Sequence, residues 1–500
     1  MSIKNCILGI SAGILLVLSF PPVNFSFLIW FALVPLFFAI YFSKSPKEAV
    51  IVGSLTGLVF YGISLNWFFK LFGLLAIGLI CLLAIFIGIF SFLVKYIYSD
   101  LSNPSLPEPT KQQLTSPSRR SLSLKGLLLF IPVCWVAVEF FRSELWWLKF
   151  PWLALGYSQW DHLPLLQLAS LGGVYGLSFF IVLVNGVVFR SLLVKRSDAG
   201  FKWRRHLSPL IIIIIIMGIV LYWGNWVIGA RTHLKGDPGA KEIGVAAIQD
   251  ESFIQDKLIA ATRKAIKETP NFIVWPELSA FLLPGEKEKR LASFVDLAKD
   301  SKAYLVTGFL EFFGFGKKKF ENYALLFSPQ GEIIGKHTKI HLVHFIEGAF
   351  EKGNDCRVFE THHGKVGIQI CFDLDYVDVT RTMVRSGAEM FFVPGLDPIF
   401  WGKWEHLQRS SMAPLRAVES RRWIVRAASS GMSQIIDPYG RVTDSLPIGV
   451  EGILVGKISV NNRITFYHHY GWVFPYVCLG GLVVGLGVKF FLGKGKRGNR

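Results

Sequence analysis

The stretch Val366-Gly367-Ile368-Gln369-Ile370-Cys371-Phe372-Asp373 is an apolar run that ends in a thiol. Such a run is typical of a buried strand, and α/β proteins place reactive groups at the carboxyl ends of their strands. We therefore predict a strand over 367–370 that delivers Cys371 to its end. A cysteine in this position is most often an inert core residue, so the rest of the chain must decide whether the thiol reacts.

Two residue types that a reactive thiol needs occur upstream in similar settings. Glu277 follows the apolar run 272–276, and Lys339 lies in the mixed stretch 335–342. A cysteine enzyme requires a base that takes the thiol proton and a cation that stabilises the anion formed during the reaction. Glu277, Lys339 and Cys371 can supply these functions together, and they are the candidate catalytic residues.

The surrounding region, 231–470, alternates short apolar runs with amphipathic stretches, as layered α/β domains do. Turn signals at Pro329-Gln330-Gly331 and Asp437-Pro438-Tyr439-Gly440 predict that some strands form antiparallel hairpins. The predicted strands are 243–248, 272–274, 303–309, 323–327, 367–370, 390–393, 423–427, 433–436 and 452–458. The predicted helices are 255–268, 285–300, 376–386 and 404–419.

Composition predicts that the remainder of the chain lies in a membrane. Hydrophobic residues make up 52% of the sequence, yet the formal net charge is +18. A soluble protein of this kind would expose large apolar patches, whereas a membrane protein keeps its apolar residues in lipid and its charge in loops. An α-helical membrane bundle of about eight spans is expected, seven in the N-terminal domain 1–230 and one in 471–500. The candidate spans are 5–20, 26–43, 48–69, 71–98, 125–142, 164–194, 208–230 and 472–492.

Lysine and arginine concentrate in alternate loops and in the C-terminal tail, which indicates an orientation. The positive-inside rule assigns such loops to the cytoplasm. Both termini are therefore predicted in the cytoplasm, and domain 231–470 is predicted on the outer side of the inner membrane, which in a bacterium is the periplasm. The basic charge is thus a topology signal, and no motif supports a nucleic-acid partner.

The cysteines and histidines do not indicate a metal site, because their spacing is not that of metal ligands. The sequence gives no sign of a cofactor. Cys356 and Cys371 both fall in the outer domain, where an oxidising compartment permits a disulfide. That disulfide is the main alternative to a nucleophilic Cys371. The other four cysteines fall in predicted spans, where they pack as small apolar residues: Cys6, Cys81, Cys134 and Cys478.

Three motifs together resemble the nitrilase superfamily: Trp275-Pro276-Glu277, Lys339-Ile340-His341-Leu342-Val343 and Ile370-Cys371-Phe372-Asp373. In that superfamily a Glu, a Lys and a Cys form the catalytic triad of a four-layer α-β-β-α sandwich. One branch, the apolipoprotein N-acyltransferase family, has several membrane spans before this domain and one after it. The chain is similar to that branch almost end to end. Further similar segments are 20–22, 139–142, 150–157, 172–176 and 416–420.

The resemblance implies a two-step, ping-pong acyl transfer that completes lipoprotein maturation. Cys371 would take an acyl chain from a phospholipid as a thioester. The α-amino group of the S-diacylglyceryl cysteine of an apolipoprotein would then accept that chain. In this scheme Glu277 is the general base, and Lys339 stabilises the tetrahedral oxyanion.

The same resemblance implies supporting residues outside the triad. Glu347 would orient Lys339 or Glu277. Trp152 would contact substrate, since its motif matches the family. Arg142 would either bind a phospholipid phosphate or cap a membrane span by reaching the interface.

Some positions depart from the family pattern. Phe372 and Asp373, two further supporting residues, stand where Tyr and Glu are usual, and His344 and Ile346 replace a usual Pro and Gly. Two alternatives to the transferase therefore stay open. One is a membrane-tethered nitrilase-type amidohydrolase, in which water resolves the intermediate. The other is a divergent, weakly active paralogue that binds lipoproteins.

Overall fold

The computed structural model describes residues 1–97, 119–193, 203–232, 242–314 and 319–495. Most of the Ser- and Pro-rich segment after the fourth predicted span, several basic loop residues and the basic end of the tail lie outside these ranges. The described residues form two compact units. The membrane unit comprises Met1–Gln159, Gly172–Tyr222 and Trp472–Arg500, and the sandwich unit comprises Trp160–Leu171 and Trp223–Gly471.

Helices make up the membrane unit. In chain order the first nine helices are α1 (Ile3–Leu18), α2 (Val34–Phe42), α3 (Pro46–Ser64), α4 (Phe68–Phe72), α5 (Leu75–Ile97), α6 (Arg119–Phe140), α7 (Leu163–Leu166), α8 (Ala169–Leu193) and α9 (Trp203–Thr232). Of these, α7 belongs to the sandwich unit, and α8 and α9 contribute to both units. A short π-helical turn, Phe141–Leu145, follows α6.

Five helical stretches within the described ranges are long and apolar enough to cross a membrane: Pro46–Ser64, Leu75–Ile97, Ala169–Leu193, Pro209–Gly229 and Gly471–Phe490. Two shorter apolar helical stretches, Ile3–Leu18 and Ser26–Phe42, coincide with the first two predicted spans. A helical membrane bundle is therefore confirmed, while the number of spans stays a prediction.

Small residues let three of these helices pack closely. A Cβ atom at Gly53 of α3 would lie 2.3 Å from Ser91 Oγ and 2.6 Å from Ile87 O of α5. Similarly, a Cβ atom at Gly13 of α1 would lie 2.7 Å from Val59 of α3. Membrane helices associate through such close backbone approach, so these glycines fix the packing of α1, α3 and α5.

The sandwich unit contains two β-sheets. Its strands are β1 (Ile243–Gln249), β2 (Phe272–Val274), β3 (Ala280–Leu282), β4 (Tyr304–Phe312), β5 (Phe320–Phe327), β6 (Ile333–Thr338), β7 (Phe350–Glu351), β8 (Val358–Thr361), β9 (Gly364–Ile368), β10 (Met390–Gly395), β11 (Trp423–Ala428), β12 (Gln434–Ile436), β13 (Val442–Ser445) and β14 (Gly452–Ile458). The eight-stranded sheet has the order β14-β1-β2-β4-β5-β6, with β3 on β4 and β7 on β5. The six-stranded sheet has the order β13-β12-β11-β10-β9-β8.

The remaining helices are α10 (Gln255–Ala265), α11 (Lys287–Ser301), α12 (Val377–Arg385), α13 (Lys403–Ser410), α14 (Met412–Ser420), α15 (Phe466–His469) and α16 (Phe474–Gly495). Helices α10 and α11 pack on the eight-stranded sheet through one hydrophobic cluster. Helices α12 and α14 pack on the six-stranded sheet through another. A third cluster joins residues of both sheets, and together these contacts confirm the predicted four-layer α-β-β-α sandwich.

Strand β1 illustrates why the central strands read as continuous apolar runs. Val245 and Ala247 contribute to the cluster between the sheets, whereas Ala246 and Ile248 contribute to the cluster shared with the helices. Successive side chains of a strand point to opposite faces, and here both faces are buried. A strand covered on both sides needs apolar residues at every position.

Both predicted hairpins are confirmed, since β5–β6 and β12–β13 pair in antiparallel fashion. The predicted strand over 367–370 is wrong at its end, because β9 stops at Ile368 and Cys371 opens a 3₁₀ turn, Cys371–Asp375. Asp373 causes the turn, because its backbone N–H donates to Ile370 O and its carboxylate accepts from Ile370 N.

The predicted helix 404–419 is two helices, α13 and α14, which separate at Ser411. Pro414 explains the break. Proline has no N–H to donate to the residue four positions earlier, so it is tolerated in the first turn of a helix and not in its interior.

Candidate active site

Glu277 lies beyond the carboxyl end of β2, and contacts with the neighbouring strand β4 fix the position of its backbone. Trp275 N donates to Val306 O at 2.8 Å, which continues the β2–β4 pairing toward Glu277. Gly308 of β4 then lets the two chains touch, since a Cβ atom there would lie 2.8 Å from Glu277 Cα. The Glu277 side chain is 1% exposed, so its charge must be met by protein donors.

Three donors meet that charge. Lys339 Nζ lies 2.9 Å from Glu277 Oε1, and Asn322 Nδ2 donates to the same oxygen at 2.6 Å. The second oxygen, Oε2, accepts from Leu396 N at 2.9 Å. The carboxylate is therefore held in one orientation by a side chain cation, a side chain amide and a backbone amide.

Lys339 follows β6 and is fixed at both its backbone and its ammonium group. Its backbone N donates to Asn322 O at 2.9 Å. Besides Glu277, its Nζ contacts Glu347 Oε1 at 2.8 Å, and Glu347 Oε2 accepts from Val343 N at 2.7 Å. Burial acts to lower the pKa of Lys339, but the charges of Glu277 and Glu347 outweigh it and raise the pKa well above its usual range. Lys339 is consequently a permanent cation between two carboxylates.

Cys371 opens the 3₁₀ turn with a left-handed backbone, φ 52°, which is unusual for a residue with a Cβ atom. Its Sγ donates to Leu396 O at 3.7 Å. Because Leu396 N binds Glu277, the backbone of Leu396 links the thiol to the carboxylate. Burial, chiefly, raises the pKa of the Cys371 thiol well above its usual range, so the resting thiol is protonated.

Asp373 connects the segment of Cys371 to the segment of Lys339. Its Oδ1 accepts from the backbone N–H groups of Ile340 and His341, at 3.0 and 2.8 Å, and its Oδ2 lies 3.0 Å from His337 Nε2. Burial acts to raise the pKa of Asp373, but the hydrogen bond and charge of His337 overcome it and hold the pKa below its usual value. One carboxylate thus ties together the turn and the loop that carry two candidate catalytic residues.

Phe372 has a packing position beside the thiol. Its ring lies 5.2 Å from that of Tyr376 in an edge-on arrangement, and the residue is 9% exposed.

All six cysteines are free thiols, Cys356 and Cys371 among them. The disulfide considered as an alternative to a nucleophilic Cys371 is therefore not present in the structure.

Arg142 and Trp152 lie together in the membrane unit. Arg142 is 2% exposed. Its Nη1 donates to Tyr61 Oη, and its Nη2 donates to Trp152 O at 3.1 Å. The Trp152 ring is itself buried, with its centroid 5.0 Å from that of Trp67. These contacts join the turn after α6 to α3 and to the loop that holds Trp152, so packing contributes to both side chains' positions.

Sequence reasoning missed two residues that touch Glu277. Asn322 follows Glu321 near the start of β5, and the predicted strand began only at residue 323, so the sequence did not mark this amide as buried. Leu396 acts only through its backbone N–H and C=O, and nothing in its residue type indicates this.

Comparison with known proteins follows this division of the chain. A family model for the apolipoprotein N-acyltransferase N-terminal domain matches residues 12–187, and a carbon-nitrogen hydrolase model matches residues 245–466. The apolipoprotein N-acyltransferase of Geobacter metallireducens is 30% identical over 97% of this chain and 95% of its own length. The enzyme of that name from Pseudomonas syringae pv. tomato is 27% identical over 95% of this chain and 94% of its own.

Among solved structures, Saccharomyces cerevisiae Nit3, a member of branch 10 of the nitrilase superfamily, matches 44% of this chain and 90% of its own, with a TM-score of 0.39 and 22% identity. An amidase from Nesterenkonia sp. matches 43% of this chain and 90% of its own, with a TM-score of 0.38 and 20% identity.

The sandwich unit is thus a carbon-nitrogen hydrolase domain, carried by a chain that also contains a helical membrane unit. With 30% identity over nearly its whole length to a relative of that name, the chain belongs to the apolipoprotein N-acyltransferase family.

Proposed function

We propose that this protein transfers an acyl chain from a phospholipid to the α-amino group of the S-diacylglyceryl cysteine of an apolipoprotein, through a thioester on Cys371. One observation carries the proposal: Glu277 contacts Lys339 at 2.9 Å and, through Leu396, is linked to the thiol of Cys371. Membership of the family supports the choice of donor and acceptor.

The first step needs the thiol to lose its proton, since a protonated thiol is a poor nucleophile. Glu277 takes that proton. Sγ of Cys371 then bonds to the ester carbonyl carbon of the phospholipid, and the carbonyl π electrons move to the oxygen. When this intermediate collapses, the ester bond breaks and the leaving lysophospholipid oxygen takes the proton back from Glu277. A thioester on Cys371 remains.

In the second step the acceptor amine is the nucleophile and the Cys371 sulfur is the leaving group. The neutral α-amino group of the acceptor attacks the thioester carbonyl carbon, and Glu277 accepts the proton that the nitrogen loses. The carbon–sulfur bond breaks, and the departing sulfur is reprotonated by Glu277. The product is an amide, and Cys371 returns to a thiol for the next cycle.

Lys339 stabilises the oxyanion in both steps. Its ammonium is buried and held by Glu277 and Glu347, so it needs no rearrangement to present its charge. Fixed donors of this kind are worth about 3–4 kcal/mol of barrier lowering in other enzymes. Glu347 positions Lys339 through this contact, and Asp373 positions the loop that begins at Lys339.

The membrane helices support a function at a lipid bilayer, where a phospholipid donor is available. We further propose that the sandwich unit lies on the periplasmic side with both termini in the cytoplasm, as the basic loops indicate. For Arg142 and Trp152 we propose substrate binding in which Arg142 orders the Trp152 backbone that it contacts.

Intact-protein mass spectrometry tests the acyl-enzyme directly. The full chain in detergent micelles is incubated with phospholipid, alongside Cys371→Ser and Cys356→Ser. The parent and Cys356→Ser are expected to gain one fatty-acyl mass that neutral hydroxylamine removes, and Cys371→Ser is expected to form no such thioester. Adduct formation on Cys371→Ser that hydroxylamine removes equally well, or no adduct on the parent, would overturn the proposal.

The carbon-nitrogen hydrolase match also favours a second candidate, a membrane-tethered amidohydrolase. The two differ in what resolves the thioester. Adding a diacylglyceryl apolipopeptide to the isolated acyl-enzyme separates them: a transferase yields the N-acyl peptide, whereas an amidohydrolase releases free acid at the same rate with and without the peptide. A chain that binds the peptide without acylating it would instead match the paralogue alternative.

A further inference from the structure

Arg409 is a buried arginine outside the group formed by Glu277, Lys339 and Cys371. It lies near the end of α13 and is 5% exposed. Three carboxylates surround it. Arg409 Nη1 lies 3.2 Å from Asp397 and 3.4 Å from Glu405, and Nη2 lies 3.6 Å from Asp375. An arginine buried at this depth needs such partners, since burying an unpaired charge is very costly.

These partners belong to the two chain segments that hold the thiol. Asp375 ends the turn that begins at Cys371. Asp397 directly follows Leu396, whose carbonyl oxygen accepts from Cys371 Sγ. The guanidinium also lies over the ring of Phe372, with Cζ 6.0 Å from the ring centroid. The positive charge of Arg409 is therefore fixed on the two segments that hold the nucleophile.

The acids around Arg409 are shared with other charged groups. Asp397 is shared between two arginines, because Arg426 Nη2 also contacts its Oδ2. Burial, together with the charge of Asp397, raises the pKa of Glu405 above its usual range, which favours its neutral form. Glu405 also lies 2.8 Å from His406 Nδ1, so it too is shared with a second partner.

Burial opposes thiolate formation at Cys371, whereas the charge of Arg409 favours it and so does that of Lys339. The negative charges of Glu277 and Asp397 oppose it as well. Lys339 has two carboxylates within 3 Å, at 2.9 and 2.8 Å. Its charge is held by these two carboxylates. A second cation on another element would complement it.

We propose that Arg409 is a positioning residue of the acyl-transfer site, whose charge, set between Asp375 and Asp397, stabilises the thiolate of Cys371 through space. The inference rests on the proposed function only in taking Cys371 as the nucleophile. The competing explanation is that Arg409 merely fastens α13 to its neighbours. Because an ion pair that only fastens a helix does not set the acidity of a thiol, the pH profile of thiol reactivity distinguishes the two.

The test measures the rate at which iodoacetamide alkylates Cys371 in the full chain as a function of pH, by peptide mass spectrometry. The variants are Arg409→Gln and Arg409→Lys, with Arg426→Gln as the matched control, since Arg426 shares Asp397. Arg409→Gln is expected to move the profile at least one pH unit higher, which lowers the rate about tenfold at a fixed pH below the thiol pKa. Arg409→Lys is expected to restore most of the shift, and Arg426→Gln to move the profile far less.

If Arg409→Gln leaves the profile where the parent has it, or Arg426→Gln shifts it equally, Arg409 is a structural clamp and the proposal is wrong. If Arg409→Gln does not fold, the comparison is made between Asp375→Asn and the double variant Asp375→Asn/Arg409→Gln, in which Asp375 no longer leaves an unpaired buried charge. The alkylation profile of the double variant is then expected to lie at higher pH than that of Asp375→Asn. Alkylation does not require acyl transfer, so failure here and failure of the proposed function are distinguishable.

Discussion

Asp373 Oδ1 accepts a hydrogen bond from the backbone N–H of His341 at 2.8 Å, and through it the turn of Cys371 is joined to the loop of Lys339. This relationship gives Asp373 a physical role beside the thiol. Asp373 also accepts from Ile340 and Ile370, so a single side chain satisfies three backbone donors in the interior.

Replacing Asp373 by asparagine is expected to uncouple the two segments. Asparagine has one acceptor oxygen in place of two, and hydrogen bonds to a charged group contribute about 1.5–3 kcal/mol each. We expect the free energy of unfolding to fall by about 2–3 kcal/mol and the acyl-enzyme to form at least tenfold more slowly. Thermal unfolding and the thioester assay measure the two effects. Asp378→Asn is the control, because Asp378 contacts the His341 ring at a partly exposed position, where ion pairs contribute little.

Substituting Glu347 by glutamine is expected to slow acylation without unfolding the domain. The Lys339 ammonium would then pair with Glu277 alone, which stabilises the Glu277 carboxylate and weakens it as a base. A reduction of about tenfold in the acylation rate corresponds to ~1.4 kcal/mol. The rate of thioester formation and the melting temperature are measured together. Unchanged acylation in a correctly folded Glu347→Gln protein would show that Lys339 does not depend on this partner.

An alanine at Gly308 is expected to displace Glu277. The added Cβ atom would lie 2.8 Å from Glu277 Cα, 2.9 Å from Leu278 N and 2.9 Å from Pro276 O, all of them backbone atoms that cannot rotate away. Misplacement of a catalytic group by about 1 Å can cost on the order of 100-fold in rate. Gly452→Ala serves as the control, since its Cβ atom would lie 3.4 Å from Leu446 Cδ1, an ordinary contact. Equal acylation rates in both variants would contradict the expectation.

Stability is expected to depend on His468 at mildly acidic pH. Burial, together with the charge of Arg422, lowers the pKa of His468 to about 3. The unfolded chain binds a proton at this residue below about pH 6.5, whereas the folded chain does so only near pH 3. Stability is therefore lost as the pH falls from about 6.5 toward 3, and this residue alone accounts for about 2 kcal/mol between pH 7.5 and 5.

His468→Asn removes that titration while keeping a side chain that can contact Thr465 Oγ1, which lies 3.0 Å from His468 Nδ1. Melting temperatures at pH 7.5 and 5 are compared for the parent, for His468→Asn and for the exposed control His362→Gln. The fall in melting temperature from pH 7.5 to pH 5 should be smaller than in the parent for His468→Asn, and unchanged for His362→Gln. A drop as large as in the parent would mean that His468 does not resist protonation.

The continuous apolar runs of the sequence were sufficient to predict the two-sheet core. Strands such as β1, β10 and β11 are buried on both faces, so their composition alone marks them. Strand β6 was missed, because only Ile333 and Ile334 of its six residues are apolar. It forms because β5 offers it a backbone ladder, and such pairing is a property of the assembled sheet.

The site was predictable where a side chain supplies the chemistry and unpredictable where the backbone or a buried charge does. Leu396 contributes only main-chain groups. Arg409 lies in the polar run 405–409, whose composition is typical of a solvent-facing helix. That run is buried because Asp375 and Asp397 come to it from other elements, which no local pattern records.

The two sheets divide the reactive groups between them, and this has a consequence for biosynthesis. Glu277 and Lys339 follow strands of one sheet, whereas Cys371 and Leu396 follow strands of the other. Until the two sheets close on each other, the newly made chain has Cys371 without Glu277 and Lys339 beside it. The packing of one sheet on the other is therefore the folding step that brings the base and the ammonium of Lys339 to the thiol.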